Sequence, residues 1–130
     1  MLNEQEYKVG SCHCKSVEIK IQFNGSFSKL RRCNCSLCSK RWAVVASVPV
    51  DQLQVLKGMD VLRLYQWNTK VAKHYFCSIC GVYTHHQRRS NPSEYGINIA
   101  CFPEVNVLDY TNIPYIDGIN HPKDSQEDYT

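Results

Sequence analysis

Residues 17–23 read Val-Glu-Ile-Lys-Ile-Gln-Phe, so apolar and polar side chains alternate at every position from Val17 to Phe23. A period of two is typical of a β-strand that buries one face. Asn24-Gly25 follows directly and is the dipeptide best suited to the two positive φ angles of a type I′ hairpin turn. We therefore predict that residues 27–30 return as the partner strand.

Other segments rich in β-branched and aromatic residues extend this pattern along the chain. The one predicted helix begins at Asp51 as its N-cap, places Leu53 and Leu56 on one face and ends at Gly58. Further strands are predicted at residues 43–48, 61–67, 71–76, 82–86 and 95–102. These patterns predict an all-β fold of antiparallel sheets with little helix.

Length and composition indicate one globular domain. The chain has 130 residues and a mass of 15.0 kDa, and we assign residues 1–123 to the domain and residues 124–130 to a frayed acidic tail. Hydrophobic residues make up 43% and charged residues 21%, which excludes a disordered chain and a membrane protein. Fifteen Lys and Arg against twelve Asp and Glu leave a charge of +3 (15 − 12), too small to favour a nucleic acid as partner.

The cellular compartment decides how the eight cysteines are interpreted. Residues 1–10 (MLNEQEYKVG) lack the basic and apolar regions of a secretory signal. No later stretch approaches the roughly 18 apolar residues of a membrane span. We therefore expect a cytoplasmic protein without a membrane partner, in which closely spaced cysteines indicate metal ligands or nucleophiles rather than disulfides.

Two short cysteine pairs predict a closed metal site. Residues 12–14 (CHC) direct two thiols to the same side of a strand, and residues 77–80 (CSIC), followed by Gly81, can fold around one ion. Zinc holds four thiolates as a closed tetrahedron without an open position, so this site is predicted to be structural. We call it the four-cysteine site, formed by Cys12, Cys14, Cys77 and Cys80.

A second cluster places three thiols within the six residues 33–38 (CNCSLC). We call Cys33, Cys35 and Cys38 the tripod. Three ligands leave the fourth position of zinc for water or substrate, which is the arrangement of catalytic ions. Three thiolates on Zn²⁺ carry a net charge of −1, so we expect weak acidification of bound water and a preference for a soft sulfur ligand.

For several residues near these clusters, the sequence is compatible with more than one role. The basic residues that flank the tripod could stabilise its thiolates and attract a small anion, or could be solvated surface side chains. Cys101 is expected to be a buried core thiol, with a fourth ligand to the tripod or a redox partner as alternatives. His85 and His86 should point to opposite faces of a strand. Either this pair or His121 could offer a proton shuttle or a ligand, or be a surface or hydrogen-bonded histidine. The flanking basic residues are Arg31, Arg32, Lys40 and Arg41.

The cysteine order resembles that of the glutathione-dependent formaldehyde-activating enzyme family, whose domain also occurs in centromere protein V. The resemblance rests on Gly-Ser-Cys-His-Cys at 10–14, Arg-Cys-Asn-Cys-Ser-Leu-Cys-Ser-Lys at 32–40 and Phe-Cys-Ser-Ile-Cys-Gly at 76–81. It implies a zinc-stabilised β-tent fold, shared with a Rab-binding guanine-nucleotide-release chaperone. It also implies two zinc ions per chain, a structural one in the four-cysteine site and a catalytic one in the tripod that could be labile.

The activity implied by the resemblance is that of a carbon–sulfur lyase. Glutathione or a similar thiol would combine with formaldehyde or another small aldehyde, and the tripod cysteines would be catalytic because their zinc binds a reactant at its open position. The sequence contains no signal for the oligomeric state, the general base or the exact substrate.

Two other functions remain open. A non-enzymatic zinc module could bind a protein or a nucleic acid, since Cys-x-x-Cys knuckles are common in nucleic-acid binders, but no basic stripe interleaved with aromatic residues extends beyond residues 31–42. A rubredoxin-like electron-transfer protein would place iron in the four-cysteine site. A colourless purified protein would dismiss the second of these.

Overall fold

The computed structural model describes residues 6–67 and 70–119. Ten strands in these ranges form two sheets. The smaller sheet has the order β1-β2-β5 and consists of β1 (Tyr7–Ser11), β2 (Glu18–Gln22) and β5 (Leu53–Lys57). Both of its strand pairs are antiparallel.

The larger sheet has seven strands in the order β10-β3-β4-β9-β8-β7-β6. Its pairs are antiparallel except that β10 runs parallel to β3, which makes this sheet mixed at one edge. The mostly β prediction is therefore confirmed. The strands are β3 (Ser28–Cys33), β4 (Val45–Pro49), β6 (Leu62–Tyr65), β7 (Lys73–Cys77), β8 (Tyr83–Gln87), β9 (Glu94–Asn98) and β10 (Tyr115–Ile116).

The predicted hairpin between residues 17–23 and 27–30 is wrong. β2 pairs with β1 and β5, whereas β3 belongs to the other sheet. Gly25 has a φ of +97°, but Asn24 does not have a positive φ, so the turn lacks type I′ geometry. The chain instead crosses between the sheets here, with the rings of Phe23 and Phe27 in edge contact at 5.1 Å.

The predicted helix after Asp51 is also wrong, because Val50–Gln52 forms one 3-10 turn and β5 follows it. Leu56 is exposed rather than packed beside Leu53. Only the stop at Gly58 is confirmed, with a φ of +93°. In the described ranges the α-helix is α1 (Ser36–Arg41), within the tripod segment.

The core lies between the two sheets. The alternating residues of β2 supply it from one side, and β4 and β9 supply it from the other. Cys101 is 7% exposed and belongs to this core, in the 3-10 turn Ile99–Cys101 that ends the predicted strand at 95–102 early. The core residues include Val17, Ile19, Ile21, Val44, Ala46, Val48, Ile97, Ile99 and Phe102.

Candidate metal centres and the adjoining pocket

The four-cysteine site joins two turns that are far apart in sequence. Cys12 and Cys14 follow β1, and Cys77 and Cys80 lie at the turn between β7 and β8. All four Sγ atoms lie within 4.8 Å of one another. The distances from Cys14 Sγ to the Sγ atoms of Cys12 and Cys77 are both 3.7 Å. A tetrahedron with Zn–S bonds of about 2.3 Å has edges of about 3.8 Å, so the donor set fits a zinc ion.

Backbone amides are directed at the sulfur atoms of this site. The amides of Val17 and Ile79 donate to Cys12 Sγ and Cys77 Sγ, each at 3.3 Å. Gly81 has a φ of +82° and allows the turn to fold back. Burial raises the pKa of the Cys12 thiol to about 11. A bound cation would therefore be needed to hold four thiolates here at neutral pH.

The tripod is assembled at the end of β3 and the start of α1. Cys33 is the last residue of the strand, and Cys35 caps the helix by accepting a hydrogen bond from the Cys38 amide at 3.3 Å. The three Sγ atoms lie within 4.8 Å of one another. Hydrogen bonds with neighbouring thiols raise the pKa of Cys33 and Cys38, so three thiolates in this position also need a cation.

One face of the tripod opens into a pocket with basic walls. Arg31, Arg41, Arg88 and Arg89 line it, and the described lining residues include no Asp or Glu. Arg31 is 7% exposed and donates to the Lys29 carbonyl and to Ser47 Oγ, both at 2.8 Å. Arg88 is paired with Glu94, which lies outside the lining, so Arg31 and Arg41 are the arginines that suit the pocket to an anionic ligand beside a metal.

The basic residues that flank the tripod in sequence divide into two groups. Arg31 and Arg41 line the pocket, and Arg41 donates to Cys38 Sγ at 3.5 Å. Arg32 lies over the ring of Trp42 and donates to its carbonyl at 3.2 Å. Arg32 and Lys40 are not among the lining residues. Two of the four basic residues that flank the tripod in sequence, Arg31 and Arg41, therefore line the pocket beside it.

His85 and His86 point to opposite faces of β8, as predicted. His85 is buried away from the pocket, where its ring stacks on Tyr75 at 4.9 Å. His86 lines the pocket and stacks on His74 at 5.1 Å. Burial lowers the pKa of His74 to about 4 and that of His86 well below its usual value, so both imidazoles are neutral at pH 7. His121 and residues 124–130 lie outside the described residues.

Sequence reasoning missed His74, Tyr83, Arg88 and Arg89 as pocket residues. Tyr83 and His86 are three residues apart, which would place them on opposite faces of a regular strand. A register shift against β7 adds one residue between them, so the Tyr83 hydroxyl meets His86 Nδ1 at 2.5 Å. The sequence signal for the pocket was the Arg88-Arg89 pair shortly after His85-His86. The bulge that brings Tyr83 to His86 has no clear sequence signature.

Comparison with known families agrees with this geometry. Residues 7–113 match the model of the glutathione-dependent formaldehyde-activating enzyme family. The chain belongs to this family. A crystal structure of a Rhodobacter sphaeroides protein is 47% identical, with a TM-score of 0.79, and the match covers 83% of this chain and 99% of that one. In the described part of this family member, no helix is long and apolar enough to cross a membrane.

Proposed function

We propose that the chain is a zinc-dependent enzyme of the carbon–sulfur lyase type. Its substrates would be adducts of glutathione, or a similar thiol, with formaldehyde or another small aldehyde. Family membership supports this class of reactants. The observation that carries the proposal is the tripod at the wall of a pocket that contains arginines and no acidic side chain among its described lining residues. Residues 1–123 would form the single domain responsible.

The two cysteine clusters would hold one zinc ion each. The four-cysteine site would be structural, because its four donors fill a tetrahedron. Zinc in the tripod would supply a soft Lewis acid with one position open to sulfur or oxygen. The place of action would be the cytoplasm, a reducing compartment in which closely spaced thiols stay available to a metal.

The pocket walls would bind the anionic parts of the thiol. Arg31 donates to a carbonyl and a hydroxyl, and Arg41 donates to Cys38 Sγ and to His74 Nδ1 at 3.2 Å. None of these contacts involves a carboxylate, so both guanidinium charges remain available to a carboxylate or thiolate of the ligand. A thiol such as glutathione, with its carboxylates, suits these walls better than a neutral thiol.

Cleavage of the adduct would require the transfer of one proton from its hydroxyl group. In the cleavage direction the C–S bond of the adduct breaks, its hydroxyl oxygen becomes a carbonyl, and the hydroxyl proton is transferred while sulfur leaves with the bonding electron pair. Neutral imidazoles can accept such a proton. His74 and His86 are the imidazoles of the described pocket wall. Because His74 Nδ1 already accepts a hydrogen bond from Arg41, we assign the proton transfer to His86.

The test combines metal analysis with a turnover assay. Protein purified under reducing conditions should contain two zinc ions per chain, and Cys35→Ser should contain one and lose at least about 100-fold in the exchange rate between glutathione, formaldehyde and their adduct measured by NMR. Cys101→Ser is the matched control, since Cys101 lies in the core and outside both clusters. An unchanged exchange rate in Cys35→Ser would reject the enzyme, and partner binding that survives this change would support a non-enzymatic module.

A further inference from the structure

The last described segment, residues 114–119, lies against the tripod, although it falls outside the family match at residues 7–113. We call this segment the strap. Its strand β10 pairs in parallel with β3, which ends at the tripod. The Asn34 amide also donates to the Ile116 carbonyl at 3.2 Å. The strap is therefore attached to the same strand and loop that carry the three thiols.

The side chain of Asn34 fixes the end of the strap. Its Oδ1 accepts hydrogen bonds from the amides of Gly118 at 2.7 Å and Ile119 at 3.3 Å. Asn34 stands between Cys33 and Cys35 in sequence. Any movement of the strap is thereby transmitted to the backbone that positions two of the three sulfur donors.

Gly118 makes the closest approach of the strap to the tripod. A Cβ at this position would lie 2.6 Å from Cys33 Sγ and 2.8 Å from Cys35 Cβ. Both distances are far shorter than an ordinary contact of about 3.5 to 4 Å. Gly118 and Ile116 also line the pocket beside the three cysteines. A residue with any side chain would have to displace either the strap or the sulfur donors.

We propose that the strap forms part of the tripod site and limits how a ligand reaches it. Asn34 is a positioning residue that docks the strap, and Gly118 covers the Cys33–Cys35 side of the tripod, so that a ligand approaches from the arginine-lined side. Gly118 is therefore a specificity-determining position. The inference about ligand approach rests on the proposed function, whereas the docking of the strap on the tripod does not.

Docking is tested through metal affinity rather than turnover. Cobalt would be titrated into the metal-free full chain while thiolate-to-cobalt absorption is recorded. In Asn34→Ala the second metal equivalent should bind at least about tenfold more weakly, with the first unchanged, as for other residues that support metal ligands. Asn34→Asp keeps an accepting oxygen and should restore binding. Asn106→Ala is the matched control, because Asn106 Oδ1 also accepts a backbone amide, at 3.1 Å, outside the pocket lining.

Coverage is tested separately with Gly118→Ala. A displaced strap should expose the tripod, so in protein that retains one metal equivalent the tripod thiols should react with a maleimide at least about tenfold faster, with the modified cysteines identified by mass spectrometry. Wild-type cobalt affinity in Asn34→Ala together with a wild-type maleimide rate in Gly118→Ala would overturn the inference. Because neither measurement uses turnover, loss of these effects and loss of enzyme activity are distinguishable. If Asn34→Ala fails to fold, the maleimide rate of Gly118→Ala decides the matter, and a wild-type rate overturns the inference.

Discussion

Arg41 contacts both the tripod and the imidazole pair. Its guanidinium donates to Cys38 Sγ and to His74 Nδ1, and it lies 3.7 Å from the centre of the Tyr83 ring. Its Nε is buried and has no hydrogen-bond partner in the described structure. Leaving such a donor unpaired costs about 1–3 kcal/mol, so the sulfur, imidazole and ring contacts together must hold this conformation.

Replacing Arg41 by Met should therefore affect metal binding and catalysis together. We expect Arg41→Met to weaken the second metal equivalent about tenfold and to lower kcat/KM by about 10- to 100-fold, because a charge beside Cys38 and a donor to His74 are both lost. Lys40→Met is the control, since the neighbouring Lys40 is exposed and does not line the pocket. Equal metal affinity and kinetics in the two variants would contradict this role.

Spacing alone was enough to predict that these cysteines form two clusters that could bind a metal, but not the pocket beside the second cluster. Thiols one to three residues apart must meet locally, so both clusters could be read from residues 12–14, 33–38 and 77–80. His74 reaches the site only because β7 pairs with β8, opposite His86. Arg88, which also lines the pocket, comes directly after β8 and depends on the same strand pairing for its position. Contacts of this kind depend on strand order, which no local pattern specifies.

At the level of elements, seven of the ten described strands were predicted, and the one strand pairing that was predicted is wrong. The alternation at residues 17–23 describes how β2 packs, but it contains no information on which strand is the neighbour. β5 was mistaken for a helix because Leu53 and Leu56 match a helical spacing, although β5 pairs with β2. α1 was missed because its cap is a thiol, Cys35, rather than the usual hydroxyl or carboxylate.

Gly58, which follows β5, should tolerate no side chain. Its φ is +93°, and a Cβ would lie 2.2 Å from the Ser16 carbonyl oxygen. Gly25 has a similar φ of +97° but has open space around it, which makes Gly25→Ala a control for backbone strain alone. We expect Gly25→Ala to lower the free energy of unfolding by about 1 kcal/mol. Gly58→Ala should cost about 2 kcal/mol more, because atoms overlap as well.

Chemical denaturation of both glycine variants measures this difference. The comparison holds the backbone conformation constant and changes only the surroundings of the added methyl group. Equal losses of stability in the two variants would show that the chain around Ser16 moves aside without cost.

In the whole molecule, the two candidate metal centres differ in how many elements they connect. The four-cysteine site connects the smaller sheet to the larger one, because one pair of ligands follows β1 and the other lies between β7 and β8. The tripod draws all its donors from the single segment that joins the end of β3, in the larger sheet, to the start of α1. Loss of the first metal should therefore loosen the contact between the sheets, and loss of the second should not.

Selective metal loss should separate stability from activity. We expect Cys12→Ser to lower the thermal unfolding temperature by at least about 10 °C, because structural zinc contributes directly to folding free energy. Cys35→Ser should lower it by less than about 3 °C while abolishing turnover. Calorimetry of both variants under reducing conditions checks this, and a similar loss of thermal stability in the two would show that the tripod also supports the fold.

Because the chain is synthesised from its N-terminus, the two cysteine clusters become complete at different times. The tripod lies within six residues, so a nascent chain can capture an ion there before any sheet exists. The four-cysteine site must wait for Cys77 and Cys80. The first of these is 63 residues beyond Cys14 and takes several seconds to emerge at about 5–20 residues per second. A ligand that also binds the unfolded chain adds little to native stability. Early loading would thus fit an ion in the tripod, and late loading would make an ion in the four-cysteine site the final step of maturation.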